Sequence, residues 1–456
     1  MFQSYRHVHF VGIAGIGMSA LAKWFLHEGI KVSGSDLSIN ATTQDLRKRG
    51  VTFFSGHAVS NIAEDIDLLI YTSAIPEHNI ERQHAQERGI SQKSYFETLG
   101  EISKSFSTIV ITGTNGKSTT TAILGLLLEA AGYDPTVLVG SLVPGFKDGN
   151  LRLGKGRFFV VEGCEYRANM MNLDPEMIVL TNIEEDHLDY YRDLNHIQQT
   201  FQAFVDKLQG KGMVVYNAMD PGTAALHFSR SVGYGFEKET DYFARQRTVS
   251  QGAQQVSVYR HETDELYLGD LKLQIPGEFN VMNALAAISA AMELGIPFET
   301  CCRVLEQFKG IWRRFERVGV WRGADVISDY GHHPTAIAQT VQAAREFFPG
   351  RRILLCYQPH QHDRTKKLFD EFVETLALAD HVIVVEIYDV AGRNEEHNVS
   401  SNDLVLAIKK KDSAKDIMYA EDFVAAENLL CDVVQSNDVL LIMGAGDIDS
   451  LARKLV

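Results

Sequence analysis

Residues 107–132 read STIVITGTNGKSTTTAILGLLLEAAG: an apolar run, a glycine turn ending in Lys117 and Ser118, then a helical pattern. Few folds accept that order. A short β run feeding straight into a helix fits a parallel sheet whose next strand is reached by a crossover, with the helix covering one face. The turn also points to a chemistry. Backbone amides at a glycine-rich helix start favour an anion. A lysine followed by a hydroxyl residue there suits nucleotide phosphates and their Mg²⁺. The spacing G-x-x-G-K-S is shorter than the usual phosphate loop. Taken alone, it leaves open whether ATP binds and what the ATP would drive.

The same alternation runs along the whole chain. "HVHFVGI", "KVSGSD" and "DLLIYTSAI" read as strands, with the helical "MSALAKWFLHEG" between the first two. This unit ends near Ser105. A second unit starts at "STIVIT" and continues through "RFFVVEGCEY", "EMIVLTNIEEDHLD" and "GMVVYNAMDPG" to the helix "NVMNALAAISAAMELG". Between about Gly235 and Gln274 apolar and polar residues alternate, which predicts inserted hairpins. "RRFERVGVWRGADVISDYGHHP" reads as the crossing into a third unit, with strands at "RRILLCYQP", "HVIVVEIYD" and "DVLLIMGAGD". The expected fold class is α/β, with three consecutive α/β domains at 1–105, 106–315 and 316–456.

Composition narrows the function classes. A chain of 456 residues needs more than one core. Its net charge of −15 argues against a nucleic-acid partner, whose footprint is basic. Five scattered cysteines with no CxxC pair fit thiols in a reducing compartment. No apolar run reaches the length of a membrane span, and "MFQSYRHVHF" lacks a signal-peptide core. The expectation is a cytoplasmic protein with no membrane partner.

Two further groups bear on the site. "GIAGIG" places Gly12, Gly15 and Gly17 between a strand and a helix, and Asp36 ends the next strand. That suits a bound nucleotide diphosphate, although the strict dinucleotide spacing would need glycine at Ala14. NAD and a bare tight turn stay open as readings. Glu162 ends "RFFVVE", and Glu184, Asp186, His187 and Asp189 follow the next strand. Carboxyl ends of parallel strands line one crevice, so Lys117, Glu162 and His187 can converge on a metal or phosphate.

"HFVGIAGIGMSALA", "VSGSD", "GTNGKSTTTA", "NIEEDHLD", "GEFNVMNALAA", "RRFE", "DYGHHPTAI", "QPHQHDRT" and "MGAGD" stand in the order seen in the Mur ligases, so the whole chain resembles that family. The resemblance implies a UDP-sugar-binding Rossmann-like domain, a central P-loop ATPase-like domain with the hairpins inserted, and a C-terminal Rossmann-like domain that takes the amino acid. It implies an ATP-dependent ligase that needs Mg²⁺. UDP-N-acetylmuramate would be activated as an acyl phosphate and then attacked by the amine of L-alanine, a step of peptidoglycan synthesis. A monomer or weak homodimer is implied, as is domain closure around the substrates.

Residue by residue, the resemblance implies that Gly113, Thr114, Asn115, Gly116, Lys117, Ser118 and Thr119 cradle the ATP phosphates. Ser118, Glu162 and His187 match metal-ligand positions. Asn280 and Asn283 fall in the adenine-side motif, Arg314 approaches the γ-phosphate, and Asp329 lies near the ribose. Tyr330, His332 and Arg364 shape the amino-acid site. Gly12, Ala14, Gly15, Ile16, Gly17, Ser35, Asp36 and Ser73 face the UDP-sugar. Lys117, Glu162, His187, Arg314 and His332 would carry the catalysis.

The chain departs from the family pattern in places. Phe279 stands where a histidine is usual, Gln361 replaces an arginine, and Cys164 replaces an acid. Cys164 reads as a packed thiol, because the mechanism needs no nucleophile. Gln202 stands where some relatives carry a modified lysine. "GAGD" at Gly444–Asp447 reads equally as an anion-binding turn or a structural one. Three alternatives remain: a recycling ligase that adds a tripeptide to the same sugar nucleotide, an NAD-dependent oxidoreductase built on "GIAGIG" and Asp36, and a non-enzymatic nucleotide-binding regulator, which would leave the acidic cluster unused.

Overall fold

A computed structural model describes residues 5–187, 190–250, 252–389 and 398–456, so Asp189 lies outside the described residues. The chain forms two compact units. One comprises Met1–Arg245, Ser257–Asp270 and Met282–Val304; the other comprises Gln246–Val256, Leu271–Val281 and Leu305–Val456.

The first unit carries a five-stranded parallel sheet in the order Thr52–Ser55, Lys31–Asp36, His7–Val11, Leu68–Tyr71, Ser91–Ser94. The strand order reverses between His7–Val11 and Leu68–Tyr71. In such a sheet the crevice for a ligand opens at the carboxyl ends beside that reversal. Gly12 begins the turn there with φ +85°. A Cβ at Gly12 would stand 2.5 Å from Thr72 Cγ2, so both the conformation and the close approach require glycine.

The same unit holds the core of a larger sheet. Ser107–Thr112 lies between Phe158–Gly163 and Met177–Leu180, and Met213–Asn217 and Ser231–Gly235 follow, all parallel. These inner strands are apolar almost throughout because helices cover both faces. The hairpins expected between Gly235 and Gln274 are the strands Tyr242–Ser250, Ala253–His261 and Glu265–Leu273 at the sheet edge.

The two sheets share one hydrophobic cluster. Trp24, on the helix Ile16–His27, stacks edge-on against Phe159 at 5.6 Å between centroids, and Leu99 and Ile102 join Phe159 and Met170 in the same core. A buried charge cluster fastens the junction. Lys23 Nζ donates to Asp148 O at 2.9 Å, and the Asp148 carboxylate accepts from His27 Nε2 at 3.0 Å and from Arg49.

The second unit is built on a six-stranded sheet in the order Glu316–Trp321, Ala324–Asp329, Val439–Met443, Ile353–Tyr357, His381–Val385, Asp416–Ala420. It is parallel except for the first pair. The stretch read as a crossing therefore makes an antiparallel edge hairpin turning at Gly323, whose φ is +81°. Apolar clusters cover both faces. The helical stretch "TKKLFDEFVETLALA" is split near Leu368 into His362–Lys367 and Phe369–Leu376.

Candidate active site

The phosphate-loop motif sits where the sequence places it, between the strand Ser107–Thr112 and the helix Lys117–Ala130. Gly116 caps the helix in the left-handed region at φ +85°, and a Cβ there would meet Asn283 Oδ1 at 2.3 Å. Gly113 has φ +136°, and its Cβ would meet Thr181 Oγ1 at 2.2 Å and Asn182 O at 2.7 Å. The loop is therefore clamped from the tail of the strand Met177–Leu180. Thr114 N–H donates to Asn182 O at 2.9 Å, Asn115 N–H to Asn182 Oδ1 at 2.8 Å, and Glu184 N–H to Thr114 Oγ1 at 2.9 Å. The first amides of the helix have no intrahelical acceptor, a geometry suited to an anion.

Lys117 Nζ donates to Gly113 O, to Thr114 O at 3.0 Å, and pairs with Glu165 Oε2 at 2.9 Å. Both side chains are largely buried. For Glu165, burial is the largest influence and works against ionisation, but Lys117 and His187 outweigh it and hold the carboxyl below its usual range. For Lys117, burial likewise opposes the charge, and Glu165 overrides it and raises the ammonium. The site thus keeps a charged pair in low dielectric, where an ionic ligand is felt strongly.

Ser118 Oγ donates to Glu162 Oε2 at 3.0 Å, and Gly140 N–H donates to the other carboxylate oxygen. This joins a hydroxyl and a carboxylate from two different strand–helix units, both hard oxygen donors suited to Mg²⁺. His187, at φ +54°, points Nε2 to Glu165 Oε1 at 3.5 Å, and its ring lies 4.7 Å from Tyr166. Among the described residues, no group of three or more His, Cys, Asp or Glu side chains is arranged to hold a metal ion on its own. Glu165 was not singled out in the sequence. Its signal is the second acid of "EGCEY", three positions after Glu162. Cys164 between them is half-buried, and burial pushes its thiol up to about 12, in keeping with a packed thiol.

At the first glycine turn, Gly12 and Ile13 N–H donate to Ser35 O, and Ala14 N–H donates to Asp36 Oδ2 at 2.9 Å. Gly15 caps the helix Ile16–His27, and a Cβ at Gly17 would stand 2.7 Å from the Tyr95 ring. Ser35 is buried and gives its hydroxyl to Glu81, while Ser73 is exposed.

In the second unit, Arg313 and Arg314 bracket Tyr330, their guanidinium carbons 4.8 and 5.0 Å from the ring centroid. Arg313, which the sequence reading passed over, is buried and donates to Gly444 O. Asp329 accepts from Phe315 N–H and Gly331 N–H, each at 2.7 Å. Burial raises its carboxyl, and Arg314 only partly offsets this. The His332 ring stands edge-on to Tyr330 at 5.5 Å and lies 6.0 Å from His360. His332 Nδ1 is 3.1 Å from Tyr330 O. Gly444 N–H donates to Asp329 O and Gln358 Nε2 to Asp447 Oδ1, so "GAGD" is knitted into the sheet end. Asn280 and Phe279 belong to this unit, where Asn280 Nδ2 donates to Pro276 O at 2.7 Å and Phe279 packs on the core. Asn283 belongs to the first unit, within 3.5 Å of Thr120 Oγ1. Gln361 opens the helix carrying Arg364 with φ +75°. No helix among the described residues is long and apolar enough to cross a membrane.

Comparison with known proteins bears directly on this arrangement. Three family models match in succession: the Mur ligase family catalytic domain over residues 7–107, the Mur ligase middle domain over 111–291, and the Mur ligase glutamate ligase domain over 313–446. The UDP-N-acetylmuramate–L-alanine ligase of Caldanaerobacter subterraneus subsp. tengcongensis is 36% identical over 100% of this chain and 98% of its own. That of Nitrosomonas eutropha is 38% identical over 99% of this chain and 96% of its own. The crystal structure of the UDP-N-acetylmuramate–alanine ligase MurC from Thermotoga maritima superposes with a TM-score of 0.85 at 30% identity, over 98% of both chains. The chain belongs to the Mur ligase family.

Proposed function

We infer that the chain joins L-alanine to the carboxylate of UDP-N-acetylmuramate, driven by ATP and passing through an acyl phosphate, as a step of peptidoglycan synthesis. The observation that carries this reading is end-to-end similarity to relatives named for that reaction. Those names also favour a single amino acid over a tripeptide as acceptor. The oxidoreductase alternative leaves Lys117, Ser118 and Glu162 without a task.

The chemistry explains why ATP is needed. A carboxylate is a poor electrophile because its leaving group would be oxide. A carboxylate oxygen attacks the γ-phosphorus and ADP leaves. The L-alanine amine then attacks the acyl carbon, phosphate departs, and the amine loses a proton. Positioning and charge neutralisation are the protein's main contributions to such a transfer.

Lys117 would neutralise phosphate oxygens, with the Gly113–Thr119 loop and the helix start holding the rest. Ser118 and Glu162 would hold Mg²⁺, which draws charge from the phosphates when bound, and His187 would serve a second such position. Glu165 would keep Lys117 charged and His187 oriented. Asn280, Asn283 and Asp329 are assigned to the nucleoside, Arg314 to the γ-phosphate, and Tyr330, His332 and Arg364 to the amino acid. The Gly12–Gly17 turn, with Ser35, Asp36 and Ser73, is assigned to the UDP-sugar. The matching domains are 1–105, 106–315 and 316–456, in a monomer or weak homodimer of the cytoplasm.

The test is phosphate release from ATP with Mg²⁺ and UDP-N-acetylmuramate, with L-alanine, glycine, L-serine or a tripeptide supplied in turn. Release that depends on L-alanine is expected. No release with any amino acid would overturn the reading.

A further inference from the structure

Between the strands Thr136–Leu138 and Leu151–Arg152, which pair antiparallel, runs a loop that no step above uses. Its neck is closed by Val139 N–H, which donates to Asn150 O at 3.0 Å, one rung beyond the pair Leu138–Leu151. The sheet register sets where the loop begins. Leu138 pairs with Val161, so the chain leaves the sheet beside Glu162. Gly140 N–H donates to Glu162 Oε1 there, and a Cβ at Gly140 would stand 3.1 Å from each carboxylate oxygen. The missing side chain lets the carboxylate lie against the backbone.

The far end of the loop grips the helix Ile16–His27, which opens at the first glycine turn. Asn150 is 0% exposed. Its Nδ2 donates to Ile16 O in the first turn of that helix, and its Oδ1 accepts from Lys23 Nζ at 3.4 Å. An ammonium can only donate. The lysine therefore fixes the amide oxygen toward itself and the NH₂ toward the Ile16 carbonyl. Ile16 and Lys23 are about two turns apart and share one face of the helix. A further turn on, His27 Nε2 meets the Asp148 carboxylate at 3.0 Å. The loop thus lies along the helix from its first turn to its last.

The path between the two grips is short. From the Ile16 carbonyl it passes through the Asn150 side chain, across the Asn150–Val139 rung, and one residue along to the Gly140 amide on Glu162. Glu162 Oε2 meanwhile accepts from Ser118 Oγ at 3.0 Å. One carboxylate oxygen is held by the phosphate-loop helix, and the other by a loop fastened to the helix of the first glycine turn. Groups that orient a metal ligand without touching the metal still matter, and removing one costs about 10–100-fold in metal affinity or activity.

We propose that Asn150 is a positioning residue for the metal carboxylate: through the neck of its loop it aims Glu162 from the helix of the first glycine turn, so that filling the metal position tightens binding at that turn. The proposal rests on the assignment of Mg²⁺ to Ser118 and Glu162 and of the UDP-sugar to the Gly12–Gly17 turn. Linkage makes the effect reciprocal between the two sites.

Asn150→Asp breaks the tie and little else. It keeps the size and the acceptor for Lys23, removes the donor to Ile16 O, and sets a carboxylate oxygen against that carbonyl. The dissociation constant of UDP is measured by calorimetry on the full chain with ADP present, with and without Mg²⁺. UDP is the probe because it has no sugar carboxylate to reach the metal. Free nucleotides complex Mg²⁺ equally whichever protein is present, so the proteins are compared by the ratio of the two constants.

The wild type is expected to bind UDP more tightly with Mg²⁺ by on the order of fivefold or more. Asn150→Asp should lose most of that factor, and the Mg²⁺ concentration for half-maximal phosphate release should rise by on the order of tenfold. Gly140→Ala pushes the carboxylate off its amide at the other end of the tie. It should lose the factor as well, and it decides the matter if Asn150→Asp does not fold. Arg49→Gln removes a contact to Asp148; it should lower the melting temperature and leave the factor at its wild-type value. An Asn150→Asp protein that keeps the wild-type factor, whatever its UDP affinity, would overturn the proposal. So would a factor that falls as far in Arg49→Gln, since helix stability alone would then set it. The functional reading fails separately, by the absence of L-alanine-dependent phosphate release.

Discussion

The two glycine turns of the first unit look alike in sequence and are surrounded differently. Each joins a parallel strand to a helix and each begins with a glycine at positive φ. At Gly12–Gly17 the first amides are already taken by Ser35 O and by the Asp36 carboxylate, and the turn's own sequence, GIAGIG, carries no cation. At Gly113–Ser118 the turn is clamped by the neighbouring strand's tail, and a buried lysine is paired to a buried acid beside it. The first arrangement can hold a diphosphate through the remaining amides and the helix dipole. Only the second places a positive charge beside a hydroxyl–carboxylate pair. A glycine pattern therefore points to a place where an anion could sit, while the side chains around it set what chemistry that place could support.

The largest effect expected from this contrast follows Lys117→Ala. Turnover should fall on the order of a thousandfold, while UDP affinity, measured separately, stays near the wild-type value. Equal loss of both would mean that the two turns form one binding site, and the contrast would collapse.

Next in size are the glycines. Gly113→Ala forces a Cβ onto Thr181 and Asn182 at φ +136° and should cost about 2–3 kcal/mol of stability. Thermal unfolding is the measurement, and an unshifted transition would show that the clamp yields.

Glu165→Gln sharpens the electrostatic half of the comparison. The folded state holds the Glu165 carboxyl below its unfolded value, so its contribution is fully present above the unfolded pKa and fades as pH falls through the lower folded one. Wild type and Glu165→Gln should draw together in melting temperature as pH falls below the ordinary glutamate range. They should separate, with the wild type the more stable, by pH 6. A gap that stays constant across that range would mean the ion pair contributes no pH-dependent stability.

The smallest effect belongs to Gly15→Ala. That backbone has φ −61° and a Cβ would make only ordinary contact at 3.6 Å from Gly12 O. Stability should change by no more than about 0.5 kcal/mol. A loss confined to UDP binding would mark close approach of the ligand to this backbone.

Much of this was legible in the sequence, for physical reasons. Interior parallel strands are buried on both faces and read as continuous apolar runs, so "STIVIT", "HVIVV" and "DVLLIM" were found directly. Edge strands lack that pressure, and Ser91–Ser94, reading SQKS, gives no apolar signal. The stretch read as the passage into the third unit carries the hairpin Glu316–Asp329, which the reading did not resolve because its outer strand is polar on one face. Lys117, Ser118 and Glu162 belong to local motifs. Glu165 shares its segment with Glu162 but not its prominence, and Glu81 belongs to no motif. Each is a carboxylate whose neighbours come from distant segments, and in "NIERQH" Glu81 looks like any solvated helix residue. Buried charge reveals itself only when the fold assembles its partners.

The fastening around Lys23, Asp148 and Trp24 carries one last consequence. The stretch between the two sheets of the first unit is open to solvent at Lys104 and Ser105, yet the pieces on either side share a hydrophobic cluster and the polar contacts of Asp148. A protease that nicks the backbone at Lys104 should leave a complex that co-migrates under native conditions and separates only in denaturant. The peptide bond there serves as a route for the chain during synthesis, while side-chain contacts keep the finished halves together.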